Sequence, residues 1–101
     1  MSKQNQSNKD NARTSSGLKF TDIAWEDYCH WQQTDAKILG NINRLIEECR
    51  RQPFKGIGKP EALKGDYSGL WSRRITQEHR LVYFYEAGLL IILQCRYHYD
   101  D

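Results

Sequence analysis

The run Leu89-Leu90-Ile91-Ile92-Leu93-Gln94-Cys95-Arg96-Tyr97-His98-Tyr99 sets an apolar strand directly ahead of Arg, Tyr, His and Tyr. A core strand that stops in solvent ordinarily stops in Lys, Asn or Gly. Here it stops in a proton-transfer residue flanked by aromatic rings and a guanidinium. That combination suits an edge able to cleave RNA: His98 for protons, Arg96 for phosphate, and Tyr97 or Tyr99 for a base to stack on. The alternative reading of the same residues is that the tyrosines pack and His98 is solvated.

Residues this close to the end need a scaffold built by the preceding chain. Leu18-Lys19-Phe20 reads as a short strand. Thr21 or Asp22 can cap a helix from Ile23 to Gln33, because both side chains accept hydrogen bonds from free helix N–H groups. Thr34 or Asp35 caps a second helix, Ala36 to Arg51. In it Ile38, Ile42, Leu45, Ile46 and Cys49 recur at helical spacing as one apolar stripe. Arg50 and Arg51 suit the negative end of the helix dipole, and Pro53 stops the helix. Pro53 to Gly69 carries four glycines and a second proline, Pro60, and reads as a connector. Three strands follow: Leu70 to Ile75, Arg80 to Tyr85 and Leu89 to Tyr97. Ala87-Gly88 makes a tight turn and an antiparallel hairpin of the last two. The expected class is α+β, with two N-terminal helices packed on one face of an antiparallel sheet. Alternation puts Arg80, Val82 and Phe84 on one face, Leu81, Tyr83 and Tyr85 on the other, Ser72 with Arg74, and Gln94 with Arg96 and His98.

At 101 residues the chain suits one domain, and its net charge is only +2. The distribution says more. From Arg50 to Tyr99 nine basic residues face four acidic ones, whereas the first 49 residues hold six basic and seven acidic. The C-terminal half is therefore the side suited to a polyanion. Cys29, Cys49 and Cys95 form no CxxC pair, which argues against a disulfide scaffold or a thiol-ligated zinc site. His30 and His79 show no ligand spacing with them, so no metal and no cofactor is expected. A reduced, cytosolic protein is the simplest reading. Met1 to Ser16 is rich in Asn, Gln, Ser and Lys, has no apolar core of the signal-peptide kind, and reads as a disordered extension. The longest apolar run, Leu89 to Leu93, is far too short to span a bilayer.

The segments Trp25-Glu26-Asp27-Tyr28, Arg51-Gln52-Pro53-Phe54, Gly58-Lys59-Pro60-Glu61, Gly69-Leu70-Trp71-Ser72-Arg73-Arg74-Ile75-Thr76, Glu78-His79-Arg80-Leu81-Val82-Tyr83 and Cys95-Arg96-Tyr97-His98-Tyr99 together resemble the YoeB (Txe) toxins of the RelE/ParE toxin–antitoxin superfamily. The resemblance covers residues 18–99, and the domain is taken as 17–99. It implies a microbial-ribonuclease-like fold and a toxin that cleaves mRNA in the A site of the bacterial 70S ribosome. It also implies a cytoplasmic location, inhibition by a YefM-type antitoxin, and a possible homodimer. The family's catalytic set falls on Glu61, Arg80 and His98, with Lys64, Arg74 and Tyr99 in support. The chain departs from the family pattern at Asp100-Asp101. Two carboxylates close to His98 would favour its imidazolium.

RNA cleavage without a metal needs a base for the 2′-OH proton, positive charge for the crowded phosphorane, and an acid for the departing 5′-oxygen. Under the resemblance Glu61 is the base, although by position alone it is a loop carboxylate. His98 is the acid, since imidazole titrates nearest neutral pH. Arg80 clamps phosphate with its guanidinium fork, or pairs with Glu78 or Glu61 along the strand. Lys59, Lys64, Arg73 and Arg74 are expected to contact RNA backbone, against the alternative of a solvated basic face. Tyr99, at the tip, belongs to the site. Trp25, Trp31 and Trp71 are expected in the core or a dimer interface. The competing function class is a ParE-like poison that acts by protein binding alone, which has no use for Glu61, Arg80 and His98 together.

Overall fold

The computed structural model describes residues 8–10 and 17–98. Of the N-terminal extension only 8–10 fall within this range, as an exposed helical turn. The expected disorder of the rest, the role of Tyr99 and the Asp100-Asp101 tail lie outside the described residues.

Strand β1 (Gly17–Phe20) leads into helix α1 (Asp22–Thr34). Thr21, not Asp22, caps α1, its Oγ1 accepting from the Ala24 N–H at 3.2 Å. Asp35 ends α1 and starts α2 (Ala36–Arg51). Its N–H donates to the Trp31 carbonyl, and its carboxylate accepts from the N–H groups of Lys37 and Ile38, each at 3.1 Å. One residue thus satisfies orphan groups of two helices, which makes the corner tight. The apolar stripe of α2 buries Ile42, Leu45, Ile46 and Cys49. Ile38 is only partly buried at its edge.

The remaining strands are β2 (Glu61–Ala62), β3 (Trp71–Arg74), β4 (Arg80–Glu86) and β5 (Leu89–Gln94), with a 3-10 turn at Gly65–Tyr67. The sheet order is β1-β5-β4-β3-β2. Antiparallel pairing joins β2 through β5, while β1 adds to the free edge of β5 in parallel. The sheet is therefore mixed. A parallel neighbour needs a crossover connection, and the chain between β1 and β5 supplies one. The α+β class with helices on one face holds: Ala24 and Trp31 of α1 and the α2 stripe pack with Leu81, Tyr83, Leu90 and Ile92. Ala87 (φ 49°) and Gly88 (φ 86°) both lie in the left-handed region, as a two-residue hairpin turn requires. Among the described residues no helix is long and apolar enough to cross a membrane.

β5 ends at Gln94, three residues short of the Tyr97 expected from the sequence. Its register with β4 shifts between Val82, opposite Gln94, and Tyr83, opposite Ile92. Leu93 is thus the extra residue of a bulge. Without it, strict alternation from Leu90 and Ile92 would carry Gln94, Arg96 and His98 onto the buried face. The bulge reverses the phase, so Cys95 is buried and Gln94 pairs with Val82.

Candidate active site

One open cleft gathers Lys59, Pro60, Glu61, Ser72, Arg74, Arg80 and His98. The residues come from four separate parts of the chain. Register explains most of the convergence. Glu61 pairs with Ser72, Ser72 with Val82, and Arg74 with Arg80. Directly opposed residues of an antiparallel ladder point to the same face. Glu61, Ser72, Arg74 and Arg80 thus share the face turned away from the helices.

Glu61 reaches that face through a turn no strand pattern announces. Gly58 (φ 80°) and Lys59 (φ 52°) are consecutive left-handed residues. The Gly58 carbonyl accepts from the Arg74 N–H at 2.7 Å, which fixes the turn against β3. A Cβ on Gly58 would meet Leu45 Cδ2 at 2.8 Å and Arg73 Cβ at 3.1 Å, so glycine is required twice over. Pro60 then leads into β2, a two-residue edge strand that sits inside the segment expected to be connector. The Leu63 N–H continues the attachment by donating to the Leu70 carbonyl at 2.9 Å.

Arg80 is only 8% exposed. Its Nη1 donates to the carbonyls of Thr76, Gln77 and His79 at 2.9, 3.1 and 3.2 Å. Among the described residues these side-chain bonds all leave from one terminal nitrogen and all end on carbonyls, none on a carboxylate. The guanidinium is anchored at one end, with further N–H donors on the same planar fork.

Arg73 does not belong to this face. It is 0% exposed, and its guanidinium donates to the Tyr83 hydroxyl (3.2 Å) and to the carbonyls of Ile57 (3.0 Å), Lys55 (2.9 Å) and Gln52. The expected RNA contact is corrected: this side chain bolts the loop after α2 to the sheet. The signal was available, since strand alternation puts Arg73 opposite in facing to Arg74. Lys64 is exposed beside the 3-10 turn and does not line the cleft. Trp31 is buried, Trp71 half-buried, and Trp25 is 51% exposed while stacked on Tyr28 at 5.8 Å.

A second hollow shares His98 with the first and is lined also by Ile23, Asp27, Tyr67, Gln94, Arg96 and Tyr97. Asp27 accepts from the Cys95 N–H at 3.1 Å. Burial raises its carboxyl above the ordinary value, against the Cys95 hydrogen bond and the Arg96 charge. Burial likewise pushes Cys95 up to about 12, with the Asp27 charge adding to it. Tyr83 also rises to about 12 through burial, although its hydrogen bond to Arg73 acts the other way. Among the described residues no group of three or more His, Cys, Asp or Glu side chains is arranged to hold a metal ion.

Residues 20–99 match the family described as the YoeB-like toxin of bacterial type II toxin-antitoxin systems. This chain belongs to that family. Toxin YoeB of Streptomyces coelicolor is 57% identical over 82 residues, which cover 81% of this chain and 98% of the relative. A heterotetrameric YoeB–YefM toxin–antitoxin complex from Staphylococcus aureus contains a chain that superposes with a TM-score of 0.77 at 44% identity, covering 83% of this chain and 98% of that one. A YoeB dimer from the same organism gives 0.78 at 42%, covering 85% and 100%. The matched span takes in every residue of the cleft. One element of the site lies outside any sequence pattern: β2, too short for an alternation to register.

Proposed function

We propose that this YoeB-like toxin is an endoribonuclease that cuts mRNA in the A site of the 70S ribosome and so arrests translation. The observation that carries the reading is the convergence of Glu61, Arg80 and His98 on one cleft with Lys59 and Arg74 beside them. Glu61 takes the 2′-OH proton. The 2′-oxygen attacks phosphorus, forming a 2′,3′-cyclic phosphate as the bond to the 5′-oxygen breaks. His98 gives its proton to that leaving oxygen. Arg80 and Arg74 hold the non-bridging oxygens, where negative charge accumulates. None of these steps calls on a metal. The need for a 2′-OH makes RNA the substrate and spares DNA. The family resemblance adds Tyr99, which follows His98 in the sequence, in a supporting role. Lys59 holds backbone phosphate at the rim. A YefM-type antitoxin is the regulating partner and a homodimer a further assembly, as in the S. aureus structures.

The test is primer extension on an mRNA under translation, with and without ribosomes. Cuts are expected only with ribosomes. Glu61→Gln and His98→Ala are each expected to slow single-turnover cleavage by about 10²- to 10⁴-fold, the usual worth of a positioned acid or base. Arrested growth with no cut in any lane would replace this reading with a poison acting by protein binding alone.

A further inference from the structure

We infer that His79 is a positioning residue for His98, a role that rests on the nuclease reading above. His98 lies beyond the end of β5, on a strap that has left the sheet ladder. Something other than a strand must hold it. Tyr97, the residue before it, has φ 65°, a conformation side chains other than glycine rarely adopt. Such a backbone persists only where its surroundings over-determine it.

They do so through two consecutive residues. The Tyr97 carbonyl accepts from the Arg80 N–H at 3.0 Å, and the Tyr97 N–H donates to Nδ1 of His79 at 2.7 Å. The His79 carbonyl cannot serve as that acceptor. It is already taken by the N–H groups of Ile75 (2.9 Å) and Thr76 (3.3 Å) and by Arg80 Nη1 (3.2 Å). The imidazole therefore supplies the acceptor that a strand carbonyl would give. This requires a lone pair on Nδ1 and leaves the ring proton on Nε2. The ring is held in turn: it meets Trp31 edge-on at 4.8 Å, and Trp31 Nε1–H donates to the Cys95 carbonyl at 2.9 Å. Two residues of the strap, Cys95 and Tyr97, are thus gripped from the Trp31–His79 pair. His79 and Arg80 together tie the His98 strap to the strand that bears the phosphate clamp.

The test compares full-chain variants. His79→Phe keeps a ring against Trp31 and removes the acceptor. His79→Asn removes the ring and places Oδ1 close to the position of Nδ1. The Phe variant is expected to lose at least tenfold in protection of the Tyr97 amide against hydrogen exchange. It should also shift the His98 ring resonances and lower kcat on programmed ribosomes by about tenfold or more, with KM for ribosomes unchanged. The Asn variant is expected to recover amide protection and most of kcat. If the Phe variant unfolds, His79→Ala against His79→Asn makes the same comparison, since only one keeps an acceptor. Equal kcat and equal amide protection in the parent and the acceptor-free variant overturn the role. A parent that cuts no RNA overturns the nuclease reading instead. The tether to His98 is then decided by the amide and ring resonances alone, and unchanged resonances in the acceptor-free variant overturn it.

Discussion

At the scale of single residues, desolvation makes the buried thiols and the Tyr83 phenol harder to ionise. Cys95 and Tyr83 each rise to about 12, and Cys49 rises as well, while Cys29 is only half-buried. A thiol reacts as its thiolate. At pH 8 a disulfide reagent is therefore expected to modify no more than Cys29 in the folded chain, and all three thiols once denaturant is added. Fast labelling of three thiols in the native protein would contradict the burial. The linkage has a definite sign. A group that loses its proton less readily when folded contributes stability that is complete below its unfolded value and is lost as pH rises through its folded value. Melting temperature should hold to about pH 9, the unfolded value for Cys95, then fall steadily toward pH 12 as Cys95 and Tyr83 are driven to ionise. A Cys95→Ala variant should show a shallower alkaline fall.

At the scale of elements, the helices were legible because each carries its own start and stop. Asp35 caps, Pro53 terminates, and the Ile42, Leu45, Ile46, Cys49 stripe announces a single buried face. The sheet was legible only in part. Period-two alternation sorted β3 and β4 into two faces, Ser72 with Arg74 and Arg80 with Val82, but left open which face the helices cover. The switch at Leu93 and the two-residue β2 depend on which strand lies alongside, and no local pattern encodes that. The site was accordingly read from motif context: by position alone Glu61 is one more loop carboxylate. The turn that delivers it can be tested. Gly58→Ala forces a Cβ to within 2.8 Å of Leu45 and demands a left-handed backbone, so a loss of about 2 kcal/mol in unfolding free energy is expected. Because the turn is bonded to β3 at Arg74, the displacement passes to Lys59 and Glu61, and cleavage should fall further than stability alone explains. A variant as stable and as active as the parent would show that the turn has slack.

At the scale of the whole molecule, charge is sorted by depth as well as by sequence. Arg73 spends its charge inside the fold, while Lys59 and Arg74 border the cleft. If both hold RNA backbone, the dependence of log affinity on log salt should flatten by about 0.7 for each removed, the single-strand value. Lys59→Ala and Arg74→Ala should each give that change in filter binding to programmed ribosomes, whereas Lys64→Ala, off the cleft, should leave the slope alone. Equal slopes for all three would detach the cleft from RNA. The sheet order carries a separate consequence, for synthesis. β1 is made first among the five strands, and its partner β5 is made last. No ribosome translating this chain can present a finished cleft until β5 has left the exit tunnel, because β5 is the neighbour of both β1 and β4 and His98 follows it. By connectivity alone, the cleft is completed only after the last of the five strands has emerged.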